Sequence, residues 1–510
     1  MRFGLRSAAI RLTVPTAAGA TGRTRTLPAK DVNPWLVLAL VCLAQFMVVL
    51  DATIVNVALP SIQADLNMAE GDLQWIVNAY TLTFGGFLLL GGRAGDLLGR
   101  KRVFLAGIVV FTLASLLNGL ADSSTTLILA RGLQGLGAAL ISPAALSIIT
   151  TTFEEGPERN KAMGVWAAIA TGGAAAGLLA GGLLVEFLSW PWIFFVNVPV
   201  GLIGGLAALR YVPESRDAGH TTYDIPGAVT VTAGLIALVY GIVSTEQNGW
   251  GSPTTLGVLA LAVVLLAAFV VIERRSPEPL VRLSIFGVRT LRAANVVMLV
   301  VASGLFAMFF FNTLYIQRVL DFSPLEAGLA FLPFTVGIAI GAGLSQVLMK
   351  ALGLRTTAGI GLVLGSVGML ALLTIDRDGS YLSDVLPMMI PLSIGMGLTF
   401  VPVTLLATSG LQPDVAGLAS GLFNTSQQVG GALGLALLST IAVDRTDEAL
   451  AGIPGAPNPI QLGDALVSGF KGAFFAGAVL LISGLVLLLT MLKKRDLERI
   501  PTDEPLHVPA

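Results

Sequence analysis

WLVLALVCLAQFMVVLDATIVNVAL, residues 35–59, is the stretch on which the fold turns. An apolar run of about 20 residues crosses a bilayer as a helix, so this run reads as a membrane span. Asp51 lies inside it, where an ionised carboxylate costs about 2.5–3.5 kcal/mol. A charge in that place marks a working site rather than a surface.

The rest of the chain is of the same kind. Of 510 residues, 55% are hydrophobic and 12% charged, half the roughly 25% of soluble domains, and mean hydropathy is +0.83. This is the composition of a polytopic membrane protein. The net charge of −1 gives no reason to expect nucleic acid as a partner. Cys42 is the single cysteine, which excludes an intramolecular disulfide and argues against a cysteine metal centre. His220 and His507 fall in polar segments and read as solvated. No metal and no cofactor is expected. The first thirty residues carry Arg2, Arg6, Arg11, Arg23, Arg25 and Lys30 and no acid. Their apolar stretch is too short for a signal peptide and is broken by Arg11, so they read as a basic cytoplasmic tail.

Hydropathy marks fourteen spans, at about 35–58, 73–92, 103–121, 126–150, 162–185, 190–210, 226–244, 254–272, 293–316, 326–349, 356–375, 384–408, 416–441 and 468–492. Charge tests the count. With a cytoplasmic N-terminus, 25 of the 30 Lys and Arg residues fall inside. Arg318, Arg377, Arg445 and Lys471 fall outside, and Arg131 lies within the fourth span. That is the positive-inside asymmetry, and it puts both termini in the cytoplasm of a cell-membrane protein. The longest polar segments, 211–224, 273–292 and 442–466, are too small to hold a core. No GxxxxGK[ST] phosphate loop occurs, so ATP hydrolysis is not indicated.

The spans divide as six, two and six. Residues 1–34 would be the basic tail, 35–210 a six-helix bundle, 211–292 an inserted helix pair with linkers, 293–492 a second six-helix bundle and 493–510 a tail. The loop GGRAGDLLGRKR (91–102) has an echo at LMKALGLR (348–355) in the second bundle, each with glycine followed closely by arginine. Repeated bundles with a site between them are the build of a secondary transporter.

At these residues the chain resembles the major facilitator superfamily. GRAGDLLGRKR resembles that superfamily's signature loop; the resemblance implies a cytoplasmic gate built from Gly92, Asp96, Gly99, Arg100 and Lys101. LILARGLQGLGAAL (127–140) resembles the motif that places an arginine inside the fourth helix of its antiporters, with Gln134 one turn after Arg131. TGGAAAGLLAGGLLVEF (171–187) is similar to the antiporter motif of drug exporters, although Leu178 stands where the motif has proline. Its Gly173, Gly177, Gly181 and Gly182 make a smooth ridge suited to close helix packing. SWPWIFFVNVPVG (189–201), LDATIVNVALPSIQADL (50–66) and AGLASGLFNTSQQVGGALG (416–434) resemble segments of the fourteen-helix drug:proton antiporters. The resemblance covers 35–492 and implies an all-α major facilitator fold.

Among acids within spans, Asp51 alone reads as internal. Burial favours the neutral carboxyl and a nearby guanidinium the ionised one; a group poised between them can exchange a proton near neutral pH. Asp51 and Arg131 are therefore the candidates for proton coupling, with the proton gradient as the energy source. Asn56, Tyr80, Gln134, Asn312, Tyr315, Asn424 and Gln428 could supply hydrogen bonds in a substrate cavity. Phe306, Phe309, Phe310 and Phe311 could line it or simply pack. Three functions stay open: a proton-coupled exporter of amphiphilic drugs or of a self-made antibiotic, a proton-coupled nutrient symporter, and a non-transporting sensor or scaffold. A monomer is the expected state.

Overall fold

The computed structural model describes residues 33–154, 156–215, 224–408, 413–451, 453 and 456–492. The tails expected over 1–34 and 493–510 lie almost wholly outside them, as do His220 and His507.

The run from Trp35 is a single helix, α1 (Pro34–Leu66). Asn33 caps it by accepting from the Trp35 N–H at 2.9 Å. Then come α2 (Gly71–Leu98), α3 (Arg100–Gly119), α4 (Ser124–Thr152), α5 (Pro157–Phe187) and α6 (Trp192–Tyr211). The next two are α7 (Ile225–Val243) and α8 (Pro253–Arg275). The last six are α9 (Arg289–Arg318), α10 (Pro324–Leu352), α11 (Leu354–Thr374), α12 (Tyr381–Thr408), α13 (Pro413–Ala451) and α14 (Pro459–Met491). Among the described residues, thirteen of these helices are long and apolar enough to cross a membrane, and α5 is apolar over the shorter stretch Gly172–Phe187. The chain is a multi-pass membrane protein.

One segment departs from expectation. The stretch 442–466, expected as a polar connection, is mostly helix, because α13 runs on to Ala451 and α14 begins at Pro459. Asn458 and Gln461 form a capping box there. It satisfies the first backbone N–H groups, so the helix can start ahead of its apolar part.

Successive helices run in opposite directions between a near end, where α1 begins, and a far end. Helices α1–α6 pack together, and so do α9–α14. The bundles join unevenly. The part of α1 from Leu50 to Ile62 shares one apolar core with the second bundle, whereas Val37–Val48 packs only within the first. At the far end, a Cβ on Gly182 would lie 2.8 Å from Leu325 Cα, and one on Gly328 2.5 Å from the Leu178 oxygen. Small residues thus bring α5 and α10 together backbone to backbone. Gln317 donates to the Val57 carbonyl at 2.9 Å, and Arg318 bonds Gln63. Nearer the N-terminal end, the Cβ positions of Gly164 in α5 and Gly343 in α10 have nothing within 4 Å. On this side the bundles meet at the far end, and at the near end these two glycines leave open space beside their helices.

The inserted pair lies along the other side. Leu235, Val239 and Val243 of α7 pack with Leu82 of α2 and with Val429, Ala432 and Ala436 of α13. One helix therefore touches both bundles. Its partner α8 rests on α7, and only 11% of its most apolar window is buried.

The two echoing loops fold alike. Gly99 and Gly353 both take positive φ, +107° and +80°, which a side chain would resist. Two residues later, Lys101 Nζ donates to the Leu209 carbonyl at 2.8 Å and Arg355 Nη2 to the Leu489 carbonyl at 2.6 Å. Each base thus caps the carbonyl end of the sixth helix of its own bundle, where positive charge is favoured.

Candidate functional site

Asp51 stands midway along α1 and Arg131 lies 7 residues into α4. Both are fully buried. Arg131 Nη1 donates to Asp51 Oδ2 at 2.5 Å. Gln134 Nε2 and Asn197 Nδ2 both donate to the other oxygen, Oδ1, at 2.8 Å. Ser115 of α3 accepts from Gln134 at 3.1 Å and from Asn197 at 3.0 Å, and Asn118 donates to Gln134 at 2.7 Å. The guanidinium also donates to the Ile76 carbonyl at 3.0 Å. It lies over the rings of Tyr80 (4.3 Å) and Phe194 (5.7 Å), an attraction that strengthens in a site without water. Five helices of the first bundle, α1, α2, α3, α4 and α6, thus converge on one carboxylate.

A charge this deep persists only when paired and hydrogen-bonded. Asp51 and Arg131, singled out in the sequence on separate grounds, are brought into direct contact, and Tyr80 and Gln134 belong to the same cluster. Ser115, Asn118 and Asn197 had not been singled out. Their signal was present in the apolar runs LASLLNG and FFVNVPVG, where Asn118 and Asn197 are the polar exceptions.

The glycine ridge of α5 lies against the stretch of α1 that carries Asp51. A Cβ on Gly173 would meet Val49 at 3.1 Å, one on Gly177 the Leu50 carbonyl at 2.7 Å, and one on Gly181 the Ile54 carbonyl at 2.8 Å. Gly182 faces α10 instead, at the far-end contact. α5 is unbroken, with Leu178 buried where the motif's proline would stand.

In the signature loop, Arg100 Nη2 reaches Asp96 at 3.1 Å. The Lys101 N–H donates to Glu214 at 3.2 Å, Arg102 lies 3.6 Å from the same carboxylate, and Arg93 pairs with Glu278 at 2.7 Å. Gly92 faces Pro143 of α4. These contacts tie the loop to α6 and to the segment after α8.

The remaining cavity candidates are dispersed. Asn56 donates to Thr53 and Ala52 in its own helix, and Asn424 is exposed and donates to Ser420. Gln428 packs against Gly85 of α2. Asn312 is buried with its oxygen unsatisfied. Tyr315 donates to the Asp376 carbonyl at 2.7 Å, at the far end. Phe309 packs on Phe331 and Phe334 and Phe311 on Phe470, so these rings serve helix packing.

Asp51 is not the only internal acid. Asp224 and Glu273, at the near ends of α7 and α8, are also buried. Both stand at span boundaries, where the sequence suggests water; Leu280 and Val281 of the following segment are buried beside them.

The Major Facilitator Superfamily model matches residues 41–435. A puromycin resistance protein of Streptomyces alboniger is 43% identical over 461 residues, covering 89% of this chain and 91% of the relative. A cephamycin export protein of Amycolatopsis lactamdurans is 41% identical over 462 residues, covering 89% and 93%. Among solved structures, an inward-facing, unoccupied bacterial homologue of the human lysosomal transporter Spinster superposes with a TM-score of 0.65. Its identity is 18%, and the match covers 92% of this chain and 99% of that one.

Proposed function

We propose, from the premise that this chain belongs to the major facilitator superfamily, that it exports amphiphilic drugs or a self-made antibiotic in exchange for protons. The relatives named for puromycin resistance and cephamycin export support the direction and the substrate class. The observation that carries the coupling is the buried Asp51–Arg131 pair.

The cluster supports a two-state cycle. Ionised Asp51 holds Arg131 through Oδ2 and takes two amide donors on Oδ1. A proton arriving on Asp51 cancels the charge that the guanidinium needs. Arg131 then keeps the Ile76 carbonyl, Gln134 and the rings of Tyr80 and Phe194, so it stays inside without its counter-ion. α5 lies on this stretch of α1 through Gly173, Gly177 and Gly181 and reaches α10 through Gly182. A change at Asp51 is therefore mechanically close to the far-end contact, as alternating access requires. In this reading Asp96, Gly99, Arg100 and Lys101 belong to the near-end gate, and Asn56, Asn312, Asn424 and Gln428 border the substrate path. The chain works as a monomer in the cell membrane, with both termini cytoplasmic. It needs protons, lipid and a small amphiphile, and no nucleic acid, metal or organic cofactor.

Proteoliposomes holding the purified protein and a pH-sensitive dye test this. Puromycin should drive proton movement with the native chain and none with Asp51→Asn. Full proton movement in Asp51→Asn would sink the coupling assignment.

A further inference from the structure

The inserted pair carries the second concentration of buried charge. Asp224 caps the near end of α7, its Oδ1 accepting from the Gly227 N–H at 2.8 Å. Glu273 lies in the last turn of α8, its Oε2 accepting from the Val281 N–H at 3.1 Å. The side chains are only 4% and 3% exposed. Each carboxylate has one oxygen held by a backbone N–H and one buried oxygen with no partner, Asp224 Oδ2 and Glu273 Oε1. The two groups border one spot: a Cβ on Gly227 would lie 2.9 Å from both Asp224 Oδ1 and Glu273 Oε1.

Among the described residues, nothing donates to Asp224 Oδ2 or Glu273 Oε1. The charged neighbours do not provide a donor. On α2, Arg93 is engaged with Glu278 at 2.7 Å, and Asp96 with Arg100. Arg274 and Arg275 on α8 and Arg282 in the following segment are exposed. On α13, residues 417–440 contain no charged side chain. No group of three or more metal-binding side chains occurs among the described residues.

We infer that Asp224 and Glu273 share one bound proton, making the base of the inserted pair a proton site separate from Asp51. With the proton on Glu273 Oε1, an orphan acceptor becomes a donor aimed at the Asp224 carboxylate, as in other buried dyads where like charges cannot both ionise. The shared proton fastens the end of α8 and the Leu280–Val281 segment to the start of α7. Its loss sets two buried negative charges against each other, beside the Arg93–Glu278 tie to α2. The inference holds whether or not Asp51 carries the transported proton.

Infrared difference spectra of the full chain in lipid nanodiscs, taken against pH, read protonated carboxyls directly. The native protein should show a protonated-carboxyl band at neutral pH that persists in Asp51→Asn and is missing in Glu273→Gln. In Asp224→Asn the band should vanish at a pH lower by about one unit or more, since the repelling charge is gone. A Glu273→Gln spectrum matching the native one, or an unshifted titration in Asp224→Asn, would overturn the inference. Removal of the band by added sodium or calcium at fixed pH would also overturn it. Should Glu273→Gln fail to accumulate, the Asp224→Asn titration decides alone.

Discussion

Arg131 has more partners than a simpler base could serve. Its planar fork reaches a carboxylate, an amide oxygen and a main-chain carbonyl while its face lies on two rings. Lysine keeps the charge but not the fork, so Arg131→Lys should accumulate drug like cells lacking the transporter, as radiolabelled uptake would show. Arg131→Ala leaves Asp51 buried without a counter-ion and should cost about 3–5 kcal/mol of stability. In thermal denaturation, Asp51→Asn combined with Arg131→Gln should lose less than the two single losses together, because the partners act as one unit. Asn197→Leu removes one donor from a charged oxygen, worth about 1.5–3 kcal/mol, and should slow drug efflux about tenfold or more. Sequence alone made Asp51 and Arg131 legible, because a charge in an apolar run is rare. It did not expose Asn197, Ser115 or Asn118. Single neutral polar residues in apolar helices usually bond their neighbours, and nothing in a linear string says that α3 and α6 face α1.

At the scale of helices, the ridge on α5 could be read from its four-residue glycine spacing, but its partner could not. The structure supplies α1, and with it a sharp expectation. Gly177→Val would drive a side chain into Thr53 and the Leu50 carbonyl and should cost about 1–3 kcal/mol by overpacking. Gly343→Ala, with open space at its Cβ, should stay within about 0.5 kcal/mol of the native protein in the same melt. The signature loop and its echo show how much a weak repeat can hide. The matching glycines stand for a shared turn, and the base two residues on makes a shared cap, Lys101 on α6 and Arg355 on α14; Arg100, the arginine of the first match, pairs with Asp96 instead. Asp224 and Glu273 lie just outside the predicted spans 226–244 and 254–272, so a survey of acids within spans does not reach them; their burial appears only in the structure.

For the whole molecule, the six–two–six division was legible because hydropathy counts helices well. The position of the inserted pair was not, since an apolar helix carries no record of which neighbour it covers. The far-end contact between α5 and α10 gives a test of motion. Gly182→Val would drive a side chain into the Pro324 oxygen and the Leu325 backbone and hold this end apart. Efflux should fall to the level of cells lacking the transporter; normal efflux would show that this end need not close. The placement of α7 across α2 and α13 has a further consequence for how a greasy molecule arrives. Among the described residues that flank is covered by α7, which leaves the opposite flank, between α5 and α10, as the sideways doorway expected for a compound dissolved among the lipid tails. A bulky maleimide on Gly343→Cys should therefore obstruct export of lipid-soluble compounds, while the same label on Val263→Cys, on the lipid-facing skin of α8, should leave traffic unchanged.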